Sequence, residues 1–456
     1  MIQNSIYRFL DSMRGIPIER ELSKLEKSQW WNAAQLREFQ NARLQMLIEH
    51  VYQNIPYYRS VMDIRGLKPN NIRCIDDLAP LPILTKEIVR NEQERLKAAS
   101  FRLRDVYIGH TGGSTGEPLT YYHDRLTQAG NRAAHRRGFR WSGIEWGDRM
   151  ITFFGGTLGL GQVNLQEYLR RLVTRQKFYP AFEIRKENIV KIHRLLQSYS
   201  PQAISGYTSS LYYLAVLIEQ SDLAQMNIPV VFTTGESMKN IYRETMTRVF
   251  NGRISDYYGF GEIQGLAYQC PLADFYHFTD EKAIVEILPL DPAKKNIGKV
   301  LITDLTNFSF PFIRYESGDV VELLDHPCDC GRSLTTVKRI LGRLHDFIIT
   351  RNGNLLAGEF FPHLFQRATS IKYFQVIQDE IDRLEILFVP SQFIGLQKDI
   401  DMLTDKIHEY TEPNLQVDFV EVSQIPITPS GKHRVTVSSL DPISSIRGSF
   451  IQDYSE

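Results

Sequence analysis

The chain is expected to be α/β plus α+β: a large N-terminal domain of helix-covered β-sheets, then a small C-terminal α+β domain. Three observations predict this. Between Asp105 and Leu324, short apolar runs (VYIGH, MITFFGG, AISGY, VVFTTG, ISDYYGF, AIVEIL, VLITDL) alternate with stretches of helical pattern. Such alternation implies sheets covered by helices. After Gly342 the texture becomes strand, turn and strand (DFIIT, RNG, NLLAG), followed by FQVIQ, LEILFVP, a helix from about Ser391 to Tyr410, and VDFVEV. At 456 residues the chain also exceeds what one small core holds. The boundary is placed so that residues 1–342 form the first domain, with a helical region over 1–100, and residues 343–456 form the second.

The N-terminal region earns its helical assignment from spacing. From Ala34 to Gln53 the apolar positions Leu36, Phe39, Leu44, Leu47, Ile48 and Val51 recur on one helical face. A proline-rich connection, LAPLPILTK, then leads to the strand-like Asp105–Gly109 and the glycine-rich TGGSTGEP, Thr111 to Pro118. There is no internal repeat and no low-complexity tract. The last residues, SIRGSFIQDYSE, are expected to be frayed or to join an oligomer contact.

Composition excludes several classes. Hydrophobic residues make up 43% and charged residues 23%, ordinary for a folded globular protein. Lys plus Arg equals Asp plus Glu at 53 each, which argues against a general nucleic-acid or membrane-surface binder. No run of 18 apolar residues marks a membrane span, and MIQNSIYRFLDSMRG lacks the apolar core of a signal peptide. Four cysteines do not make a disulfide scaffold, so a reducing, cytoplasmic location is expected.

Five patches carry chemistry. In TGGSTGEP, glycines let successive N–H groups turn inward around an anion, and the hydroxyls of Thr111, Ser114 and Thr115 add donors. It is neither a Walker A loop nor a dinucleotide fingerprint, and such a stretch can also be a plain turn. DYYGFGE, Asp256 to Glu262, offers the flat face of Tyr258, close backbone approach at Gly259 and Gly261, and a carboxylate at Glu262 suited to Mg²⁺. The alternative is a tight turn with a surface glutamate. In IRYESGD, Asp319 stands where a strand should begin and could accept from two ribose hydroxyls, although Ser-Gly-Asp is also ordinary turn chemistry. GRLHDFIITRNG, Gly342 to Gly353, resembles a hairpin at the domain junction. TPSGKHR presents Lys432 on a glycine-kinked loop, either a solvated charge or a mobile cation for developing negative charge.

The collinear order TGGSTGEP, TTGE (Thr233 to Glu236), YGFGE, SGD, GRLHD and PSGKHR resembles the adenylate-forming superfamily of acyl- and aryl-CoA synthetases. Within it, the likeness is to the phenylacetate-CoA ligase branch and its relatives from capsular-polysaccharide gene clusters. NIPYYR, LPILTK and ISGYTSSLYYLA resemble that branch too, so the likeness spans nearly the whole chain. It implies a two-step reaction: a small-molecule carboxylic acid attacks the α-phosphate of Mg·ATP, and coenzyme A then displaces AMP. Residue by residue, it implies that Thr111, Gly112, Gly113, Ser114, Thr115 and Gly116 cradle the pyrophosphate end of ATP. Gly235, Glu236, Tyr258 and Gly259 would frame the adenine, Asp319 the ribose, Arg343 the ribose-phosphate region, and Glu262 would hold Mg²⁺. Lys432 would bridge the carboxylate and the α-phosphate. The resemblance also implies that the small C-terminal α+β domain is mobile, swinging about His345 or Asp346 just after the Gly-Arg motif.

Two departures from the family pattern stand out. His345 replaces the first of two aspartates at the hinge, and Glu117 stands where many relatives carry a lysine after the glycine loop. An acyl pocket would draw on Phe153, Phe154, Gly155, Tyr207 and the surroundings of Gly261; those aromatics suit a flat or apolar acid and could equally be core. The acceptor could instead be an amine of an amino acid or amino sugar, or the chain could be a catalytically silent relative. A homodimer through the N-terminal helices is a further expectation. Finally, Cys270, His277, Cys328 and Cys330 fit a tetrahedral structural zinc site, with AIVEIL and VLITDL folding the two halves together. The alternative is unpaired thiols beside a surface histidine, and Cys74 is expected in the core.

Overall fold

Capping and apolar spacing start the N-terminal helices. The computed structural model describes residues 17–440 except 111–118, 155–173, 237, 239, 292–293, 325, 341–346, 352–354, 358–359, 366, 392–393 and 426–434. Helix α1 spans Ile18–Ser28, and α2 spans Ala33–Asn54. At Asn32 the side chain accepts from the Gln35 N–H while the Gln35 side chain accepts from the Asn32 N–H, a reciprocal cap. The α2 stripe buries Leu36, Leu44, Leu47, Ile48 and Val51, whereas Phe39 is half-buried against Trp31. Helix α3 (Pro56–Ile64) opens on proline, which a first helical turn tolerates. Cys74 is half-buried, not core, because its backbone and thiol turn to the Asp77 carboxylate. The proline-rich link ends in the short helix α4 (Lys86–Asn91).

Strands β1 (Val106–His110) and β2 (Thr120–Asp124) pair antiparallel on either side of the glycine-rich segment. Asp124 accepts from Thr127 N and so caps α5 (Arg125–Trp141). An eleven-stranded sheet follows. Its parallel half holds β3 (Met150–Phe154), β4 (Gln176–Pro180), β5 (Ala203–Tyr207), β6 (Val230–Thr234) and β7 (Arg253–Tyr258), in the spatial order β4-β3-β5-β6-β7. Helices α6 (Ile189–Tyr199), α7 (Thr208–Gln220) and α8 (Asn240–Phe250) connect these strands. The antiparallel half adds β8 (Ala267–Gln269), β9 (Tyr276–Phe278), β10 (Ala283–Asp291), β11 (Lys294–Asp304), β12 (Tyr315–Leu323) and β13 (Thr336–Ile340), continuing as β8-β9-β13-β12-β11-β10.

The chain order reverses between β3 and β5: β3 leads outward to β4, and the next strand returns to the other side. In open α/β sheets, the carboxyl ends of the strands at such a reversal form a crevice. Beyond the sheet lie the hairpin β14 (Phe347–Ile349) and β15 (Leu355–Ala357), then α9 (Phe360–Phe365), β16 (Ile371–Glu380), β17 (Arg383–Pro390), α10 (Leu396–Tyr410), β18 (Gln416–Glu421) and β19 (Thr436–Ser438). The four-stranded sheet runs β18-β17-β16-β19 over its own core of Phe360, Phe361, Phe374, Ile386, Leu403 and Ile407. Helix α10 begins later than the sequence suggests, at a glycine, Gly395, whose φ of +118° is open only to glycine at low cost. This small unit touches the rest of the chain where Arg185 donates to the Glu409 carbonyl at 2.7 Å and its guanidinium covers the Tyr410 ring. Among the described residues, no helix is long and apolar enough to cross a membrane.

Candidate active site

Two segments that are distant in sequence, the carboxyl end of β7 with its loop and the start of β12, meet here. Tyr258 closes β7 and donates its hydroxyl to Asp319 Oδ2 at 2.8 Å. Tyr315 opens β12 and donates to Glu262 Oε1 at 2.6 Å. Each segment, the end of β7 with its following loop and the first half of β12, therefore supplies both a tyrosine and a carboxylate, and the bonds cross between them. All four residues are buried, with Glu262 only 2% exposed. A buried carboxylate without donors would be costly, so these hydroxyls fix where both acids point.

Asp319 does not begin a strand, as its sequence context suggested; it lies inside β12. The register against β11 shifts between Lys299 and Leu301, so the Ser317-Gly318-Asp319 segment bulges. Gly318 takes φ +84°, and the Ser317 hydroxyl accepts from the Asp319 N–H at 3.1 Å. The bulge turns a strand residue toward the site without ending the strand.

The Glu262 loop is gripped from behind. His123 Nε2 lies 2.7 Å from the Glu262 carbonyl oxygen, which only an N–H can satisfy, leaving Nδ1 to accept from the Gln128 amide at 3.1 Å. Burial drives the His123 pKa down, consistent with that neutral form. Lys282, also buried and with its pKa lowered by burial, donates to the Gln264 carbonyl at 2.6 Å. Tyr121 lies over the loop: a Cβ on Gly261 would meet its hydroxyl at 2.7 Å, and one on Gly109 would overlap its ring at 2.1 Å. Burial and then the Glu262 charge push the Tyr121 phenol up to about 12. Lys86 Nζ faces Glu262 Oε1 at 3.8 Å.

The other expected residues divide. Gly235 follows β6 with φ +85°, a torsion that suits glycine. The Glu236 carboxylate accepts from the N–H and hydroxyl of Ser209, both at 2.7 Å, so it caps the start of α7. Gly259 lies in the loop leaving β7, where a Cβ would press on Gly265 N at 3.3 Å. Phe154 and Tyr207 end β3 and β5, the two strands of the reversal, and their rings meet edge-on at 5.0 Å. Phe153 is fully buried and belongs to the core. Thr111, Gly112, Gly113, Ser114, Thr115, Gly116, Gly155, Arg343, His345, Asp346 and Lys432 lie outside the described residues.

The cysteine and histidine cluster is real, but its assembly differs from expectation. The pairing of β13 with β9, which sets Thr336 opposite His277, joins the halves; β10 and β11 do not. The ligand atoms of Cys270, His277, Cys328 and Cys330 all lie within 4.8 Å of one another. Cys270 Sγ is 3.5 Å from Cys328 Sγ, and Cys330 Sγ is 3.2 Å from His277 Nε2. Two sulfurs bound tetrahedrally to one zinc at about 2.3 Å subtend roughly 3.8 Å, so the spacing fits. The second shell is present: His277 Nδ1 and the Thr336 hydroxyl are 3.1 Å apart. Burial holds His277 down at about 4, neutral and able to ligate. Burial pushes the Cys270 thiol up to about 12; at Cys330 burial also raises, but the combined hydrogen bonds from Arg332, Cys328 and Cys270 leave its pKa lowered.

Residues 348–439 match the family model of the CapK C-terminal domain. Over 89% of its length the chain is 21% identical to Protein CapK of Staphylococcus aureus, of which the match covers 90%. It is 22% identical to the phenylacetate-coenzyme A ligase of Thermus thermophilus, over 82% of this chain and 86% of that one. The chain is similar, over most of its length, to members of the adenylate-forming superfamily in its phenylacetate-CoA ligase-like branch. A solved adenylate-forming structure, 2-hydroxyisobutyryl-CoA ligase in complex with 2-HIB-AMP and CoA, shares the fold with a TM-score of 0.61 at 18% identity, covering 93% of this chain and 95% of that one. The quoted motifs alone did not single out Tyr315, Tyr121, His123 or Lys86. Tyr315 is part of IRYESGD and Lys86 ends LPILTK, so both were within reach as members of quoted phrases. Tyr121 and His123 lie in the polar-aromatic run TYYHD, which carries no signal of its own.

Proposed function

We propose that the chain activates a small-molecule carboxylic acid with Mg·ATP and passes the acyl group to coenzyme A. The observation that carries this reading is the crossed pair of bonds, Tyr258 to Asp319 and Tyr315 to Glu262, which joins two nucleotide-type motifs in one buried site. An oxygen of the acid attacks the α-phosphorus of ATP, and the bond to the bridging oxygen breaks, releasing pyrophosphate and leaving an acyl-adenylate. The coenzyme A thiolate then attacks the acyl carbon, the acyl–oxygen bond breaks, and AMP leaves.

Asp319 accepts from the ribose hydroxyls while Tyr258 holds its other side, and the Tyr258 ring faces the adenine with Gly235 and Gly259 beside it. Residues 111–116 hold the phosphates. Arg343 meets the ribose-phosphate region, and Lys432 steadies charge on the reacting oxygens. Glu262 would hold Mg²⁺, which when bound neutralises phosphate charge. Phe154 and Tyr207 form the wall against which the acyl group rests, Gly261 leaves room beside Tyr121, and Gly155 is assigned to the same pocket. His345 and Asp346 carry the hinge. Separately, Cys270, His277, Cys328 and Cys330 hold a structural zinc; four protein ligands leave no open position for chemistry.

ATP–pyrophosphate exchange against a panel of carboxylic acids tests the activation step, and coenzyme A-dependent AMP release tests the acceptor. Carboxylate-dependent exchange is expected. AMP release that ignores coenzyme A and responds to an amine would redirect the second step to amide formation.

A further inference from the structure

We propose that the acid is an aromatic carboxylic acid with a ring hydroxyl, and that His135 selects it through a hydrogen bond at Nε2. This rests on the reading of the chain as a carboxylate-activating enzyme and names the substrate class of that same site. The register of the parallel strands defines the pocket. Phe153, Gly206, Thr233 and Asp256 are paired across β3, β5, β6 and β7, and all four are buried. One residue further along, Phe154, Tyr207, Thr234 and Tyr257 form the next row, on the opposite face of the sheet. All four of these are half-buried, although their strands lie inside the sheet. Side chains on interior strands keep accessible surface only where nothing packs on them, so this row floors a pocket at the carboxyl ends. Phe154 and Tyr207, edge-on at 5.0 Å, are one end of it.

Helix α5 covers the same face. Its Phe139 stacks on Phe232, two residues before Thr234, with ring centroids 3.7 Å apart, and closes the bottom. One helical turn earlier, His135 lies on Phe139 at 4.1 Å and meets Tyr257 edge-on at 5.1 Å. It is half-buried, like the row it faces. His135 Nδ1 is 3.1 Å from the Tyr268 hydroxyl, while Nε2 has no hydrogen-bond partner among the described residues. That nitrogen also keeps accessible surface, so it borders open space rather than a packed core. Burial holds the His135 pKa down at about 4, so the ring is neutral and suits an uncharged group. A hydroxyl both donates and accepts, so it pairs with Nε2 whichever ring nitrogen carries the proton. The other polar groups of the row are engaged. Thr234 donates to the Tyr257 carbonyl at 2.8 Å, and the Tyr257 hydroxyl is turned toward Ser205 and Thr234. Three aromatic walls favour a flat ring, and the one open nitrogen favours a hydroxyl on it.

The test uses the full-length protein. ATP–pyrophosphate exchange is measured with para- and meta-hydroxyphenylacetate, phenylacetate, the corresponding benzoates and a straight-chain fatty acid. Wild type is compared with His135→Phe, His135→Gln and Tyr268→Phe. Wild type should favour a hydroxylated acid over its unsubstituted parent by about 10- to 100-fold in kcat/KM, the scale of one buried hydrogen bond. In His135→Phe that ratio should fall toward one with the KM for ATP unmoved, and His135→Gln should recover part of it. Tyr268→Phe loses the bond to Nδ1 but keeps Nε2, so its ratio should stay near that of wild type. A wild-type ratio near one, or a ratio that His135→Phe leaves intact, overturns the proposal. An equal fall in His135→Phe and Tyr268→Phe makes His135 a packing residue and overturns it too. Absence of exchange with every acid, in folded protein, fails the activation reading itself.

Discussion

The two tyrosines that hold the carboxylates act through single hydroxyls, so conservative substitutions can test them. Tyr315→Phe keeps the ring among Phe310 and Phe312 but removes the donor to Glu262. Leaving a buried acceptor unsatisfied costs about 1–3 kcal/mol. Exchange should slow by roughly tenfold or more, on the same energy scale, with the KM for the acid unchanged; unaltered exchange would mean that Tyr315 does not orient Glu262. A second acid near the site bears on stability. Asp256 accepts from the hydroxyls of Thr233 at 2.5 Å and Tyr276 at 2.6 Å, yet burial lifts its pKa to about 6. Because the folded value is raised, the stabilisation is complete below the unfolded value near 4 and is lost as pH rises through 6. That loss is about 3 kcal/mol. Urea unfolding between pH 4 and 7 should show this decline in wild type and a smaller one in Asp256→Asn. Burial likewise raises Asp280 to about 7, so part of the decline will persist in the variant.

At the scale of elements, the local pattern was legible and the pairings between elements were not. AISGY corresponds to β5 and VYIGH to β1 residue for residue, because short apolar runs bounded by turn residues commit locally. The α2 face was equally plain. What escaped were features set by partners far along the chain. The Asp319 bulge exists because β12 gains residues against β11, and no residue within SGD announces that. Lys86 meets Glu262 only because Leu84 bridges to Tyr315. The cysteines were noticed by type, but the strand pair that unites them, β9 with β13, was not anticipated. If a zinc ion staples this pair, purified protein will contain it. Cys328→Ser or a strong chelator should then remove the metal and lower Tm, since structural zinc contributes directly to folding. Metal-free protein with an unchanged Tm on chelation would refute the zinc assignment.

Over the whole molecule, the division of labour follows the architecture. The eleven-stranded sheet gathers Glu262, Asp319, Tyr258, Phe154 and Tyr207 at one end, and the four-stranded unit rests on it through Arg185, Glu409 and Tyr410. The proposed swing of that unit requires this contact to be breakable. The contact also includes Ile349, Ile381 and Leu440, which pack against the core cluster of the parallel half, so the swing must part an apolar patch as well as the arginine tie. The motif order made the likeness to adenylate-forming enzymes readable from sequence, but the identity of the acid was not, because pocket aromatics and core aromatics look alike until folded. The most direct test of the central claim separates the two half-reactions in Lys432→Ala. In that variant ATP–pyrophosphate exchange should be lost while thioester formation from supplied acyl-AMP and coenzyme A proceeds near the wild-type rate. Survival of exchange in that variant, or loss of both half-reactions in folded protein, would contradict it.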